Sequence, residues 1–122
     1  MISQRVHTYE ARLYLGSRER YHGRTFREEE LVEVIGRYQK GHEHSMPLRV
    51  TPTNFVHEEY SEAGWEVAAI NYPRWPKSTE AIHAFMEGLA EYLIDVLKQN
   101  RISVVYPDTT IMYQGPGAEE KF

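Results

Sequence analysis

Two short stretches concentrate side chains suited to holding an anionic, aromatic ligand. The first is SRERYHGR, residues 17–24, followed closely by Arg27. Arg18, Arg20, Arg24 and Arg27 fall just before or inside the start of a helix, where unpaired backbone N–H groups and the helix dipole favour anions. Guanidinium adds bidentate contacts to phosphate or carboxylate. Tyr21 and His22 can stack on a ligand or hydrogen-bond to it. For any single arginine, pairing with the acidic run at residues 28–30 is an equal reading. The second stretch is INYPRWPKSTE, residues 70–80, where a strand hands over to a helix. Asn71, Tyr72, Arg74 and Trp75 precede a helix start at Ser78 and Thr79. An aromatic plane, a guanidinium, helix amides and hydroxyls together suit a nucleotide. A tryptophan lid over the core, fixed by Pro73 and Pro76, is the competing reading.

Other chemistry finds little support. The chain has no cysteine, so thiol chemistry and disulfides are excluded. It contains no G-x-S-x-G elbow, H-E-x-x-H, P-loop or dinucleotide fingerprint. The paired carboxylates Glu58–Glu59 and Glu119–Glu120 fall in a turn and near the chain end, where solvation explains them. His42 and His44 in GHEH, with His57 beyond, lack a third ligand at metal spacing. The expectation is therefore a binding protein, not an enzyme, with no metal and no cofactor.

Composition bounds the class. The 122 residues are enough for one domain with its own core. Hydrophobic residues make up 41% and charged residues 26%, ordinary values for a globular protein. The net charge of −4 argues against nucleic acid as a partner. No apolar run reaches membrane-span length, and Met1 is followed by polar residues and Arg5 rather than a signal sequence. A cytoplasmic protein is expected.

The elements that must carry these stretches follow from periodicity. HTYEARLYLG alternates as a half-buried strand, with Arg12 and Tyr14 on the face opposite Leu13 and Leu15. TFREEELVEVIGRYQKG is a helix, with Thr25 and Glu28 placed as a capping box and Gly41 as its stop. PLRVTPTNFVHEEY and WEVAAINY form a hairpin through EYSEAG, with Pro52 marking the first strand as an edge. A long helix over 78–100 carries Ile82, Phe85, Met86, Leu89, Leu93, Val96 and Leu97 on one broad face. RISVVY is the last full strand, and TTIMYQ extends it. The order β-α-β-β-α-β predicts an α+β, ferredoxin-like split βαβ fold, with two helices on one face of a four-stranded antiparallel sheet. Residues 1–113 are expected to form one domain and 114–122 a flexible tail.

This topology separates the two stretches. The arginine loop opens at one end of the sheet, beside the hairpin tip and Arg101. The tryptophan loop opens at the other end. Only a homo-oligomer brings Arg24 and Trp75 to one small ligand, and the helix-free sheet face with its aromatics is expected to be the subunit interface.

At VTPTNF, INYPRWP and ISVVYPDTTIMY the chain resembles phage anti-defence proteins of the Thoeris sponge type, from about Tyr9 to Tyr113. That resemblance implies sequestration, without turnover, of cyclic ADP-ribose isomers in pockets between subunits, inside the host cytoplasm. It implies ligand contacts at Asn71, Arg74 and Trp75 and at Asp108, Thr109 and Thr110, with Arg18 and Arg24 supplied by another subunit. The competing family is the trimeric PII-like signalling and CutA group, which shares the topology and binds an adenine nucleotide or metal between subunits. GHEH is its metal candidate.

Overall fold

The computed structural model describes residues 1–119. Five strands and two helices follow one another as β1 (Glu10–Gly16), α1 (Glu28–Gln39), β2 (Arg49–His57), β3 (Tyr60–Ile70), α2 (Thr79–Val96), β4 (Arg101–Val105) and β5 (Thr110–Gln114). The strands form one antiparallel sheet in the order β2-β3-β1-β4-β5. This is the expected α+β arrangement with both helices on one face. One correction concerns the rim: TTIMYQ is a full fifth strand, so the sheet has five strands rather than four.

Alternation decides which face is buried. Ala11, Leu13 and Leu15 of β1, Val67 and Ala69 of β3, and Ile102 and Val104 of β4 pack under α1 and α2. Leu31, Val34 and Ile35 of α1 meet this layer, as do Phe85, Met86, Leu89 and Leu93 of α2. Each buried aliphatic side chain of this kind contributes about 1.5–3 kcal/mol relative to exposure. Arg12 and Tyr14 point to the opposite face, where Tyr14 meets Phe55 edge-on at 6.3 Å. Pro52 lies in β2, at the sheet edge as its missing N–H requires.

Three local expectations are corrected. Thr25 does not cap α1: it forms a β-bridge with Arg18, and the next residue's N–H, that of Phe26, bonds to the Ser17 carbonyl at 2.8 Å. The helix therefore starts at Glu28 after Arg27, with no side-chain cap. Glu28 instead accepts the indole N–H of Trp65 at 3.0 Å, and Trp65 stacks on Phe26 at 5.3 Å. Second, the β2–β3 hairpin turns at Glu58 and Glu59 rather than over 59–64, with Glu58 at φ 56°. Two-residue hairpins need such a positive φ to match the strand twist. Third, residues 114–119 are not loose. Gln114 completes β5, the Gly115 N–H bonds to the Asn100 carbonyl, Ala118 is buried, and the Glu119 N–H bonds to the Tyr21 hydroxyl. The remaining residues 120–122 lie outside those described. The cap of α2 is as expected: Ser78 Oγ accepts the N–H of Ala81 at 3.1 Å.

Two predictions follow from the packing. A Cβ on Gly64 would fall 2.3 Å from the Leu15 carbonyl oxygen and 2.6 Å from the Phe55 ring. Gly64→Ala should therefore destabilise the protein by about 1–3 kcal/mol, read from the denaturant midpoint; an unchanged midpoint would mean that this close approach is absent. Tyr38 joins the helices by donating its hydroxyl to the Phe85 carbonyl at 2.8 Å. Burial, assisted by Glu91, pushes its pKa up to about 12 from 10.0. A raised phenol stabilises the fold below its ordinary pKa, and that contribution fades as pH rises from about 10 to about 12. Ultraviolet titration of the folded protein should show a tyrosine ionising near pH 12 that Tyr38→Phe removes.

Candidate functional site

The arginine loop, residues 17–27, is a built structure. Its stem continues the sheet: the Ser17 N–H bonds to the Ala63 carbonyl at 3.0 Å, and Arg18 bridges Thr25. Its tip closes through the Glu19 N–H to the Arg24 carbonyl and the Gly23 N–H to the Glu19 carbonyl, both at 2.9 Å. Arg20 adopts a left-handed φ of 51°, and its N–H is held by the Lys98 carbonyl at 2.8 Å. The cost of that φ is offset by tying the loop to the end of α2.

Between this loop, the hairpin and the start of β4 lies a cleft of about 570 Å³. Arg18, Arg20 and Arg101 line it, opposed by Glu62 and Glu119, with Tyr21 and Tyr60 presenting rings. Glu62 organises it. Its carboxylate accepts the Arg18 backbone N–H at 3.0 Å and the Tyr60 hydroxyl at 2.5 Å. That hydrogen bond, more than burial, raises the Tyr60 pKa. The Arg18 guanidinium donates to the Gly23 carbonyl, and that of Arg20 to the Gln99 carbonyl. Arg101 donates to the Tyr21 hydroxyl at 3.4 Å, which also accepts the Glu119 N–H at 2.8 Å. Gln99 is buried and spans the floor, donating to the carbonyls of Arg18 and Leu97. Asn100 Oδ1 is buried with no hydrogen-bond partner among the described residues. Mixed charge of this kind suits a ligand that carries both signs.

One bare position allows the geometry. A Cβ on Gly16 would fall 2.2 Å from Glu62 Oε2, so the carboxylate rests on the Gly16 backbone. One rung further along the uncovered sheet face, the Tyr14 hydroxyl donates to Glu66 at 2.8 Å. Burial first, and then Glu66, raises the Tyr14 pKa.

The residues expected from the sequence divide. Arg18 and Tyr21 enter the cleft. Arg24 does not: Glu30 holds its guanidinium at 2.9 Å and Glu19 at 3.2 Å. These pairs raise the Arg24 pKa and lower that of Glu30. At the opposite end, Asn71 is 92% buried and structural, since its Nδ2 donates to the His7 carbonyl and its Oδ1 accepts the Lys77 N–H. Trp75 is 48% exposed, so it is not a lid on the core. It stacks on Tyr72 at 5.5 Å, lies 5.2 Å from the Arg74 guanidinium, and borders a cleft of about 490 Å³ beside Met46 and Pro47. Asp108 borders a smaller cleft with Tyr9, Glu80 and His83. The Thr109 carbonyl closes the β4–β5 turn by accepting the Tyr106 N–H, and Thr110 opens β5. Within one chain the two ends stay apart, as the topology requires. His44 uses its N–H to reach His42 Nδ1, and among the described residues no three ligands converge on a metal position.

Sequence reasoning missed Glu62, Tyr60, Gln99 and Glu119. Glu62 could have been found by parity, because it shares a strand face with Gly64 and Glu66. Glu119 sat in a segment read as a tail.

No protein-family model and no curated protein matches the sequence. Two solved structures share the fold. A phage SAM lyase in complex with S-methyl-5'-thioadenosine aligns with a TM-score of 0.66 at 15% identity, covering 94% of this chain and 95% of that one. A phage SAM lyase in the apo state aligns with a TM-score of 0.67 at 14% identity, covering 95% and 98%. At these identities the likeness establishes the fold. It also corrects the expectation of a protein without catalytic activity, because the neighbours along nearly the whole chain are enzymes.

Proposed function

We propose that the cleft at the arginine end takes a nucleotide-derived small molecule of the thioadenosine class, and that the chain is a lyase acting on a sulfonium nucleoside of the S-adenosylmethionine type. The observation that carries this reading is the near full-length likeness to a phage lyase holding S-methyl-5'-thioadenosine, joined to a cleft of mixed charge. The chemistry asks little of the protein. When the bond between the sulfonium sulfur and the aminobutyrate carbon breaks, the electron pair goes to sulfur and the leaving group is neutral S-methyl-5'-thioadenosine. The substrate's own carboxylate oxygen forms the new C–O bond, giving a lactone, and no proton is transferred. Catalysis is then positioning and electrostatics. Arg18 and Arg101 orient the carboxylate, Glu62 and Glu119 face the ammonium and sulfonium, and the rings of Tyr21 and Tyr60 offer apolar planes.

The uncovered sheet face, with Tyr14, Phe55 and Met112, is the proposed surface for a homo-oligomer. Such an assembly lets the Arg74–Trp75 platform of one subunit, with Asp108, Thr109 and Thr110 at the same end of the sheet, complete the arginine cleft of another. Both structural neighbours are phage proteins, and consuming a nucleotide-derived molecule inside an infected host suits a role against antiviral defence.

Incubation with S-adenosylmethionine should yield S-methyl-5'-thioadenosine by chromatography, and calorimetry should register binding of that product. The absence of both signals would overturn the assignment, and binding of cyclic ADP-ribose isomers instead would move the ligand to that class. Glu62→Gln should lower kcat/KM by about ten- to a hundredfold, the loss of one charged hydrogen-bonding group. Gly16→Ala displaces the same carboxylate and should match it, with the circular dichroism spectrum unchanged.

A further inference from the structure

The two rims of the sheet differ. β2 is protected by Pro52 and by the charged residue Arg49, the usual devices against strand pairing. β5 reads TIMYQ, with no proline and no charge. Its register shows which backbone groups are open. The Gly115 N–H bonds to the Asn100 carbonyl and the Tyr106 N–H to the Thr109 carbonyl, both at 2.8 Å. Hydrogen-bonded pairs alternate along an antiparallel ladder, so Ile111 and Tyr113 bond to β4. Thr110 and Met112 therefore turn their N–H and C=O groups away from the sheet.

Beside this edge, on the helix side, runs a groove of about 850 Å³ between α2 and β5. Its α2 wall carries Glu87, Glu91 and Asp95, four residues apart, and α2 contains no lysine or arginine. Glu91 and Asp95 have no ion pair among the described residues; Glu87 has only His83 at 3.9 Å and the Tyr113 hydroxyl at 3.0 Å. Tyr38, Tyr92 and Tyr113 supply the apolar surface between them. α2 and β5 run in the same sense, since Glu80 and His83 share a cleft with Asp108 at one end and Ile94 abuts Gly115 at the other. Carboxylates four apart on a helix are spaced about 6 Å along its axis. Alternate side chains of an extended strand are spaced about 6.7 Å.

We propose that β5 and this groove dock an extended basic peptide segment of a partner protein. The segment adds as a sixth strand, with Lys or Arg at alternate positions. Its backbone pairs with Thr110 and Met112. Its cationic side chains meet Glu87, Glu91 and Asp95, with their aliphatic stems and charges against the tyrosine rings. A second copy of this chain is disfavoured as the occupant, because pairing two β5 edges would bring two acidic stripes together. The proposal does not depend on the chemistry of the arginine cleft.

Fluorescence anisotropy of the full chain with a labelled peptide of alternating lysine and threonine tests this. Saturable binding is expected. It should weaken by about tenfold or more in Met112→Pro and in the double variant Glu91→Gln, Asp95→Asn, the scale of one or two lost polar contacts. The proline removes an N–H that points outward and leaves the ladder to β4 in place, which circular dichroism checks; the double variant preserves shape and keeps the test open should the proline disturb the strand. A peptide of the same composition with its lysines clustered should bind more weakly, and a glutamate version not at all. Equal binding of the clustered peptide, indifference to both variants, or no saturation would overturn the proposal. So would dissociation by the peptide of a self-associated form seen in sedimentation, which would make the occupant of this edge a second copy.

Discussion

The rung where Gly16 of β1 faces Gly64 of β3 is the constraint on which the cleft depends. With no side chain at either position, the Phe55 ring lies over Gly64 and the Glu62 carboxylate over Gly16. Glu62 thereby reaches across from β3 and takes the Arg18 N–H, while Ala63 takes that of Ser17. The first two residues of the arginine loop are thus set by the sheet and not by the loop's own sequence. A side chain at Gly16 or Gly64 would displace the carboxylate or the ring, and the loop would lose its aim along with its anchor.

From that rung outward, charge is sorted by direction. Guanidiniums outnumber carboxylates in the cleft at the end of the sheet, while α2 carries carboxylates along its flank and no lysine or arginine. The net charge of −4 hides this division, because it averages two fields that face different directions. The same chain can therefore hold a ligand with an anionic group at one end and favour a cationic one along its side. Rigid positioning serves both: Gln99 and the left-handed Arg20 tie the loop to the end of α2, and Ser78 caps that helix at its other end.

Most of the architecture was legible because its signals are local and repetitive. The alternation in β1, the broad apolar face of α2 and Pro52 at an edge each follow from neighbours a few residues apart. The errors came where a distant partner competed. Thr25 has the sequence of a cap, yet its backbone bridges Arg18, so the helix begins later. EYSEAG has turn-forming residues, yet pairing along β3 extends the strand to Tyr60 and moves the turn to Glu58 and Glu59. GPGAEEKF has little to bury by composition, yet Gly117 packs against Arg20 and the Glu119 N–H bonds to Tyr21 in the arginine loop, which no local pattern announces.

By itself, then, the sequence determined the element order, the buried face and the separation of the arginine and tryptophan loops to opposite ends, since these rest on periodicity and connection rules. Only the tertiary structure decided which arginines are available. Arg18 lines the cleft while Arg24, six residues along the same loop, is neutralised by Glu19 and Glu30. It also decided that Asn71 is a clamp and Trp75 an exposed platform, and that Glu62 and Glu119 belong with the arginines. The physical reason is that a polar group's role is set by which charges and hydrogen-bonding groups lie within about 4 Å, and the Arg18 N–H that Glu62 accepts is 44 residues away, while the Tyr21 hydroxyl that takes the Glu119 N–H is 98 away.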